Sequence, residues 1–237
     1  RVNVTAEQLP KGDCNDPKPL TDLRHCVFWN IALSGIDLHG TLLDGVSLRG
    51  TNLTDSNLSG ASLQQADLRW SDFSKCQLND TDFSNSNLFH TTFNGATMDR
   101  AKLIKAYMFA SRLNHVRARQ ADFTDAFMKD LNMANSDLSG SSFKQGYMLR
   151  AVMIGSNLSG ADLQNADLTG SALERADFTR ANLTGASFRG VTLDETIFSE
   201  ANFDQADFTD ATLENMDGTW FQHAINLPIY LQKMLNQ

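Results

Sequence analysis

A single five-residue period runs through this chain and constrains its fold more than any other feature. From residue 28 to residue 213 every fifth residue is Leu, Phe or Met, and Ala118 is the one exception in 38 consecutive sites. The residue two places earlier is Ala, Ser, Thr, Cys or Gly at 31 of the 37 sites from Ile31 to Ala211. The register is never interrupted, so the chain is one long repeat array rather than several domains.

The period of five excludes the two simplest regular structures. It does not match the 3.6 residues of a helical turn, and its odd length would place successive large residues on opposite faces of a straight strand. All of these residues can be buried only if the chain turns within every five-residue unit. Such a chain winds into a coil whose neighbouring turns form parallel β-bridges about 4.8 Å apart. The period therefore predicts an all-β solenoid.

The repeat unit resembles the A(D/N)LXX signature of the pentapeptide-repeat family, as in Ala161-Asp162-Leu163 and Ala181-Asn182-Leu183. The resemblance implies a right-handed quadrilateral parallel β-helix with four pentapeptides per coil, in which residues twenty apart stack vertically. On this basis we expect an N-terminal cap segment at residues 1–22, the β-helix at residues 23–217 and a C-terminal capping segment with a short helix at residues 218–237. Caps are expected because each end of a solenoid has to cover an apolar cross-section.

Both ends of the chain carry helix signals. Residues 5–8, TAEQ, have the spacing of a capping box and predict a short helix that ends before Pro10. Near the other end, Asn226 is predicted to cap a second helix with Pro228 in its first turn. The residues that would share its apolar face are Leu227, Leu231, Met234 and Leu235. The resemblance also allows a homodimer through this end, so capping and dimerisation both remain open.

The cysteines indicate the compartment in which the protein works. Cys14 and Cys26 flank an irregular segment before the repeat, which favours a disulfide over two unrelated thiols. Cys76 lies at a small inward position and is expected to be a buried packing residue. A disulfide, together with a first residue other than Met, predicts an exported protein in the periplasm or thylakoid lumen, with the cytoplasm as the alternative.

Composition and motifs exclude several classes of function. The chain has 28 acidic and 20 basic residues, and the net charge of -8 disfavours nucleic acid or an anionic membrane as the partner. No stretch approaches the roughly 18 consecutive apolar residues of a membrane span. The five histidines are scattered, and no HExxH, CxxC, Walker A, GxGxxG or GxSxG motif occurs. The sequence predicts no catalytic residue, metal or cofactor, and hence not an enzyme.

The outward positions change character between residues 86 and 154. Aromatic residues replace the usual Asp or Asn there at a spacing of twenty, which predicts aromatic columns on one side of the solenoid, and six basic residues with no acidic one fall between Arg100 and Arg119. The predicted partner-binding residues are Trp70, Phe89, Tyr107, Phe109, Phe127, Tyr147, Leu149, Arg112, Arg117 and Arg119. Exposed aromatics are enriched at protein interfaces, although a ladder that only stabilises the stack would leave the same pattern.

Two functional hypotheses follow. The first is a non-enzymatic interaction scaffold that binds an unidentified protein, of acidic character, through the aromatic and basic middle coils. The second is a DNA mimic that binds a type II topoisomerase such as DNA gyrase, as some proteins of the resembled family do. The region Asp194 to Asp217, with eight acidic residues and no basic one, would carry that second function.

Overall fold

Parallel β-bridges between residues twenty apart build the chain into a four-sided coil. The computed structural model describes residues 9–28 and 32–236. Within them, isolated parallel bridges recur at every fifth residue from the pair Ala32 and Asn52 to the pair Thr192 and Thr212, and an earlier bridge joins Asp22 to Leu42. Successive pentapeptides lie on successive faces, and the fifth lies above the first. The predicted quadrilateral β-helix and its stacking rule are therefore confirmed.

Each pentapeptide uses its backbone in the same way. The N–H of Leu163, at a central position, donates to the carbonyl of Asn182 on the next coil over 2.8 Å. The N–H of Ala166 then donates back to the carbonyl of Leu163 over 3.0 Å and closes a turn. The corner residue of that turn has positive φ, as at Asn165 with φ 56°. This left-handed corner redirects the chain, which is why a unit of only five residues can keep its large side chain inside.

The interior is filled by the central and the small residues that the period marks. Central side chains from residue 28 to residue 208 are buried, and stacked phenylalanines run along the axis, as at Phe188 and Phe208 with ring centroids 4.5 Å apart. Most hydroxyls of the described buried Ser and Thr have a backbone acceptor, and many of these acceptors are on the preceding coil, as for Ser71 Oγ and the carbonyl of Leu48 over 2.8 Å. Most buried hydroxyls are therefore paired, as a stable interior requires, and Thr51 Oγ1 is an exception with no partner among the described residues.

The N-terminal cap lies on the first coil and is closed by a disulfide. Lys11 forms a parallel bridge with Asp22, and Asp22 forms one with Leu42. Cys14 and Cys26 are disulfide-bonded, as predicted. A crosslink over a loop of this length stabilises the fold by about 3 kcal/mol in the chain-entropy treatment. The helix predicted at residues 5–8 lies outside the described residues.

The last coil is longer than the others. Regular bridges join residues twenty apart, whereas Asn202 pairs with Ile225, so this coil carries three additional residues. They are accommodated in a 3₁₀-helix, Gly218–Phe221. Phe221 is buried and stacks on Phe198 with ring centroids 5.4 Å apart. The inward pattern therefore continues through a segment in which the sequence period is no longer visible.

A short helix, α1 (Ile229–Leu235), covers the C-terminal end within the same chain. Leu231 is fully buried, and the Tyr230 hydroxyl donates to the carbonyl of Ala211 over 3.3 Å. The predicted cap at Asn226 is wrong, because Pro228 is the N-cap and Asn226 has φ 59° and donates to Asn202 Oδ1 over 3.0 Å. The C-terminal helical cap is confirmed, and the homodimer stays a prediction. No helix in the described ranges is long and apolar enough to cross a membrane.

Candidate partner-binding surface

All the predicted aromatic residues lie on one side of the β-helix. This side is built from residues 66–70, 86–90, 106–110, 126–130 and 146–150, which stack because they are twenty apart. We call it the aromatic face. Its apolar and aromatic members are Trp70, Phe89, His90, Tyr107, Phe109, Phe127, Tyr147 and Leu149. The structure therefore brings together seven of the ten predicted partner-binding residues, and adds His90.

The longest column of the aromatic face is a stack of three rings. Tyr107, Phe127 and Tyr147 occupy consecutive bridge positions, so their side chains leave the backbone in the same direction. Both neighbours of Phe127 lie with ring centroids 5.0 Å from its own, and the ring planes are 11° and 21° from parallel. Phe89 and Phe109 form a second, shorter stack at 5.7 Å. The rings thus turn their edges and hydroxyls toward solvent.

Trp70 ends the aromatic face toward the N-terminus. Its indole stacks on the His90 imidazole with centroids 4.3 Å apart, and Phe89 meets it edge-on at 5.4 Å. The next residue along this corner column is Gly50, which offers no side chain, and no atom lies within 4 Å of the place where its Cβ would be. Trp70 is 53% exposed, so a large apolar side chain is held in place by its neighbours yet open to solvent.

The three rings of the aromatic column cannot accept the backbone hydrogen bonds that Asp or Asn side chains accept at the same position in other coils. At the same position one coil further on, Asp167 Oδ1 accepts the N–H of Thr169 over 3.0 Å. A phenyl or phenol ring in that place has no such acceptor. No described residue accepts the N–H groups two positions after the three rings, which belong to Phe109, Lys129 and Leu149. An Asp or Asn side chain at the ring positions would satisfy these donors, so the rings are not the residues that best stabilise the repeat backbone.

Cations without an ion pair lie around the aromatic face. Lys129 is on the face, Lys105 is at the corner before Tyr107, and Arg112 is on the next face around the coil. None of the three has an ion pair with a described residue. Arg150, in contrast, is bound to Asp130 over 2.7 Å, and this hydrogen bond lowers the pKa of the Asp130 carboxyl. Asp125, one coil after Lys105 in the same corner column, also has no ion pair with a described residue, so three of these four unpaired groups are basic and one is acidic.

Two predicted members of the site lie on the opposite side of the molecule. Arg117 and Arg119 belong to residues 116–120, two faces around the coil from residues 106–110. Arg117 is paired with Asp99 over 2.9 Å, and Arg119 with Asp137 over 2.6 Å. These arginines are therefore not part of the aromatic face. The sequence analysis grouped these arginines with the aromatic residues because they are close in sequence. In this fold, however, ten residues correspond to half a coil, so the arginines lie on the opposite side.

A cluster near the C-terminal end was not singled out from the sequence. A depression of about 180 Å³ is lined by Glu174, Asp194 and Glu214, which stack twenty residues apart, together with Thr192 and Thr212. Glu174 Oε2 and Thr192 Oγ1 are buried there with no hydrogen-bond partner in the described part of the chain. The spacing of twenty between the carboxylates is the signal that could have identified it. Of the eight acidic residues from Asp194 to Asp217, only Asp207 forms an ion pair with a described residue, at 3.7 Å from Arg189.

Family models cover most of the chain. A model described as pentapeptide repeats matches residues 101–140, 132–175, 156–194 and 176–215, and one described as a pentapeptide repeat region matches residues 21–103. The chain belongs to the pentapeptide-repeat family. Its fold is the right-handed quadrilateral β-helix of that family, with a C-terminal helical cap.

The chain is similar to solved structures of the same family, and one of them, a form of QnrB1, agrees at the level of the fold. A trypsin-treated form of QnrB1, a plasmid-mediated fluoroquinolone resistance protein, is 20% identical, with 87% of this chain and 94% of that chain covered and a TM-score of 0.50. HetL, a pentapeptide-repeat protein involved in the regulation of heterocyst differentiation in a Nostoc cyanobacterium, is 24% identical, with 82% and 84% covered and a TM-score of 0.31. No curated protein matches the chain. At these identities the likeness is one of fold alone.

Proposed function

We propose that this protein is a non-enzymatic scaffold of an exported compartment whose aromatic face binds a protein partner. The observation that carries the proposal is the replacement of capping Asp or Asn by Tyr107, Phe127 and Tyr147, which leaves three backbone donors without an acceptor among the described residues. Asp or Asn at these positions would supply an acceptor for each donor, as Asp167 does, and each such hydrogen bond contributes about 0.5–1.5 kcal/mol. Binding of a partner over the rings would explain why aromatic residues replace the capping Asp or Asn.

The stacking inside the column is compatible with this function. Cross-strand aromatic pairs stabilise a sheet by themselves, and the ring of Phe127 is covered on both sides by its neighbours. The members that remain most open are Trp70 at 53%, Tyr107 at 40% and Tyr147 at 36%. Rigid Trp and Tyr side chains that are already ordered lose little conformational entropy when they are buried, which is why they serve as anchors at interfaces.

The charges specify the chemistry of the partner. Lys105, Arg112 and Lys129 form no ion pair with a described residue, so their charges are available to a second molecule. Interfaces commonly surround an apolar centre with polar contacts of complementary sign. The partner proposed here is a protein with an apolar patch bordered by Asp and Glu. Its association rate is expected to fall as the salt concentration rises.

The disulfide supports the exported location. Disulfides persist in oxidising compartments and are rare where thiols are kept reduced. The third cysteine is consistent with this, because Cys76 is buried, donates to the carbonyl of Leu53 and offers no surface for disulfide exchange. We place the protein in the periplasm or the thylakoid lumen. Detection of the Cys14–Cys26 bond in protein taken directly from cells, with thiols blocked at lysis, tests this placement.

The binding proposal is tested with two matched double variants. Tyr107→Ala with Phe127→Ala removes the centre of the aromatic face, and Arg117→Ala with Arg119→Ala changes the opposite side. Each protein is used to capture partners from an extract of the exported compartment, and the captured proteins are quantified. We expect one or more acidic proteins to be lost with the aromatic variant and retained with the opposite-side control. Retention of every partner by the aromatic variant contradicts the proposal.

A second candidate function is supported by a different part of the surface. Among the eight acidic residues from Asp194 to Asp217, seven have no ion pair with a described residue, which gives the C-terminal coils a negative surface. QnrB1, which shares the fold, is a fluoroquinolone resistance protein. We infer as the alternative that these coils imitate the charge of duplex DNA and bind a type II topoisomerase.

The alternative is separated from the first proposal by a supercoiling assay. Purified DNA gyrase is assayed with and without a quinolone at increasing concentrations of this protein. DNA mimicry predicts a change in supercoiling that is reduced when Asp210→Asn and Glu214→Gln remove two of the charges. The absence of any effect at saturating protein removes the alternative, and it leaves the aromatic-face proposal untouched.

A further inference from the structure

The N-terminal cap holds three metal-ligand side chains in one place. Cys14 and Cys26 meet in the disulfide, and the His25 imidazole lies directly beside both sulfurs. His25 Nε2 is 3.4 Å from Cys14 Sγ and 3.8 Å from Cys26 Sγ. All three potential ligand atoms lie within 4.8 Å of one another. This cluster plays no part in the aromatic face and is independent of the function proposed above.

The distances around His25 are those of a tetrahedral zinc site. Zinc binds thiolate sulfur at about 2.3 Å and imidazole nitrogen at about 2.0–2.1 Å, which places neighbouring S and N ligand atoms roughly 3.5 Å apart. The two S–N separations in the cap lie on either side of that value. A disulfide cannot ligate zinc, because the metal binds the thiolate form of cysteine. Reduction of the bond would release both sulfurs beside an imidazole that is already in position.

The backbone keeps the two cysteines close without help from the disulfide. Lys11 pairs with Asp22 through a parallel bridge, and the N–H of Gly12 donates to the carbonyl of Asp22 over 2.9 Å. On the other arm, the N–H of Leu23 donates to the carbonyl of Leu42, and the N–H of Cys26 donates to the carbonyl of Leu23, both over 2.9 Å. Because the β-helix anchors both arms, reduction leaves the ligands near one another.

The cluster is accessible from one side only. Cys26 is 5% exposed and Cys14 is partly buried, whereas His25 is exposed. An ion can therefore enter past the imidazole and find the two thiolates behind it. Three protein ligands leave a fourth tetrahedral position to water or another small ligand, as in zinc sites that are not closed. Two thiolates and one imidazole are a set that suits zinc rather than calcium or magnesium.

We propose that the N-terminal cap is a redox-dependent zinc site formed by Cys14, His25 and Cys26. A dithiol reductant transfers two electrons and two protons to the disulfide, which yields two cysteine thiols and the oxidised disulfide of the reductant. Zn²⁺ then binds the two sulfurs and His25 Nε2, and the two thiol protons pass to solvent. The oxidised state closes the segment between Cys14 and Cys26 with a covalent bond, and the reduced state closes it with the metal. The same sulfurs are used in both, so the two states exclude one another.

Zinc binding is tested on the full-length protein in a Cys76→Ser background, in which only two cysteines remain. Oxidised protein and protein reduced with a phosphine are titrated with Zn²⁺ against a chromophoric chelator. Co²⁺ is used in parallel, since thiolate ligation gives charge-transfer absorption in the near ultraviolet. We expect one zinc ion per reduced chain, none in the oxidised chain, and a cobalt–thiolate band only after reduction.

Matched variants separate a defined site from adventitious binding. His25→Ala leaves both sulfurs in place and is expected to lower zinc affinity by at least about tenfold. His39→Ala, at another histidine of the first coils, is expected to change nothing. Equal zinc affinity of reduced protein and reduced Cys14→Ser/Cys26→Ser protein overturns the proposal, as does unchanged affinity in His25→Ala. Circular dichroism of the reduced protein shows whether the β-helix persists, and a folded reduced protein without a cobalt–thiolate band also counts against the site.

Discussion

Trp70 and His90 stack with ring centroids 4.3 Å apart and planes 8° from parallel, although both residues have positive φ, at 64° and 53°. A bulky side chain in the left-handed region is uncommon because its Cβ crowds the backbone. The same corner column carries glycine at positions 50, 170 and 190. The more exposed of the two described tryptophans therefore lies where glycine is conformationally easier.

A variant of Trp70 can show whether this residue serves partner binding or the stability of the fold. Trp70→Gly loses the stack on His90, worth about 0.5–1.5 kcal/mol, and relieves a left-handed corner by a comparable amount. We expect the free energy of unfolding, measured with urea, to change by less than about 1 kcal/mol. Partner capture by the same variant is expected to fall. A large loss of stability with capture unchanged would identify Trp70 as a structural residue instead.

The three cysteines are expected to react in two separate steps. Burial raises the pKa of the Cys76 thiol to about 12, and its sulfur donates to the carbonyl of Leu53. Native oxidised protein should therefore show no reactive thiol, and native protein reduced with a phosphine should show two, from Cys14 and Cys26. The third should react only after a denaturant is added. Alkylation followed by mass spectrometry counts them, and modification of Cys76 in the native protein would contradict the expected burial.

Stability at the C-terminal end is expected to depend on α1. Leu231 is fully buried against the last coil, so Leu231→Ala should lower the free energy of unfolding by about 2–4 kcal/mol. Ile229 lies on the same helix and is 68% exposed, which makes Ile229→Ala a matched control without effect. Hydrogen exchange resolves whether the loss is confined to the last coils. A change in molecular mass with Ile229→Ala would point instead to a dimer through this end.

Acid is expected to weaken the N-terminal cap through Asp22. The hydrogen bond from Arg24, assisted by its charge, lowers the pKa of the Asp22 carboxyl from 3.8 to about 2. Because the folded pKa is the lower one, the pair stabilises the protein above about pH 4, and this contribution is lost as the pH falls toward 2. Both groups of the pair are solvated, so its contribution to stability is small.

The Asp22 contribution is measured as a difference between proteins. The free energy of unfolding of wild type and of Arg24→Gln is compared at pH 7 and at about pH 2. We expect the wild type to be more stable at pH 7 and the two to converge in acid. Arg180→Gln, at an exposed corner where no ion pair with a described residue forms, is the control. A difference that does not depend on pH would show that Arg24 acts through packing alone.

Much of the architecture is predictable because each pentapeptide is a local unit. The large residue at every fifth position identifies the interior, and every such side chain from Phe28 to Phe208 is buried. Even the burial of six methionines follows from register alone. The turn is made within five residues by a left-handed corner, so no long-range contact is needed to know which side chains point inward. Stacking at a spacing of twenty followed from the family resemblance, and it placed Tyr107, Phe127 and Tyr147 correctly in one column.

Prediction failed where the surface and the ends depend on contacts between coils. Arg117 and Arg119 were grouped with the aromatics, and the structure places them half a coil away in ion pairs with Asp99 and Asp137. Asn is a common helix-capping residue, but Asn226 does not cap the helix. In the longer last coil its side chain donates to Asn202 Oδ1 instead. In both cases the partner comes from another coil, and sequence distance does not identify it.

The sequence by itself determined that the chain coils, the five-residue register and the buried residues, because these follow from a repeated local unit, and it favoured a disulfide between Cys14 and Cys26 that the structure contains. Only the tertiary structure decided which outward residues share a face, which charges are neutralised, and that His25 lies within 3.4 Å of Cys14. The physical reason is that side chains twenty residues apart become neighbours only when the coils stack, and that the irregular caps find their partners on those coils rather than in their own sequence.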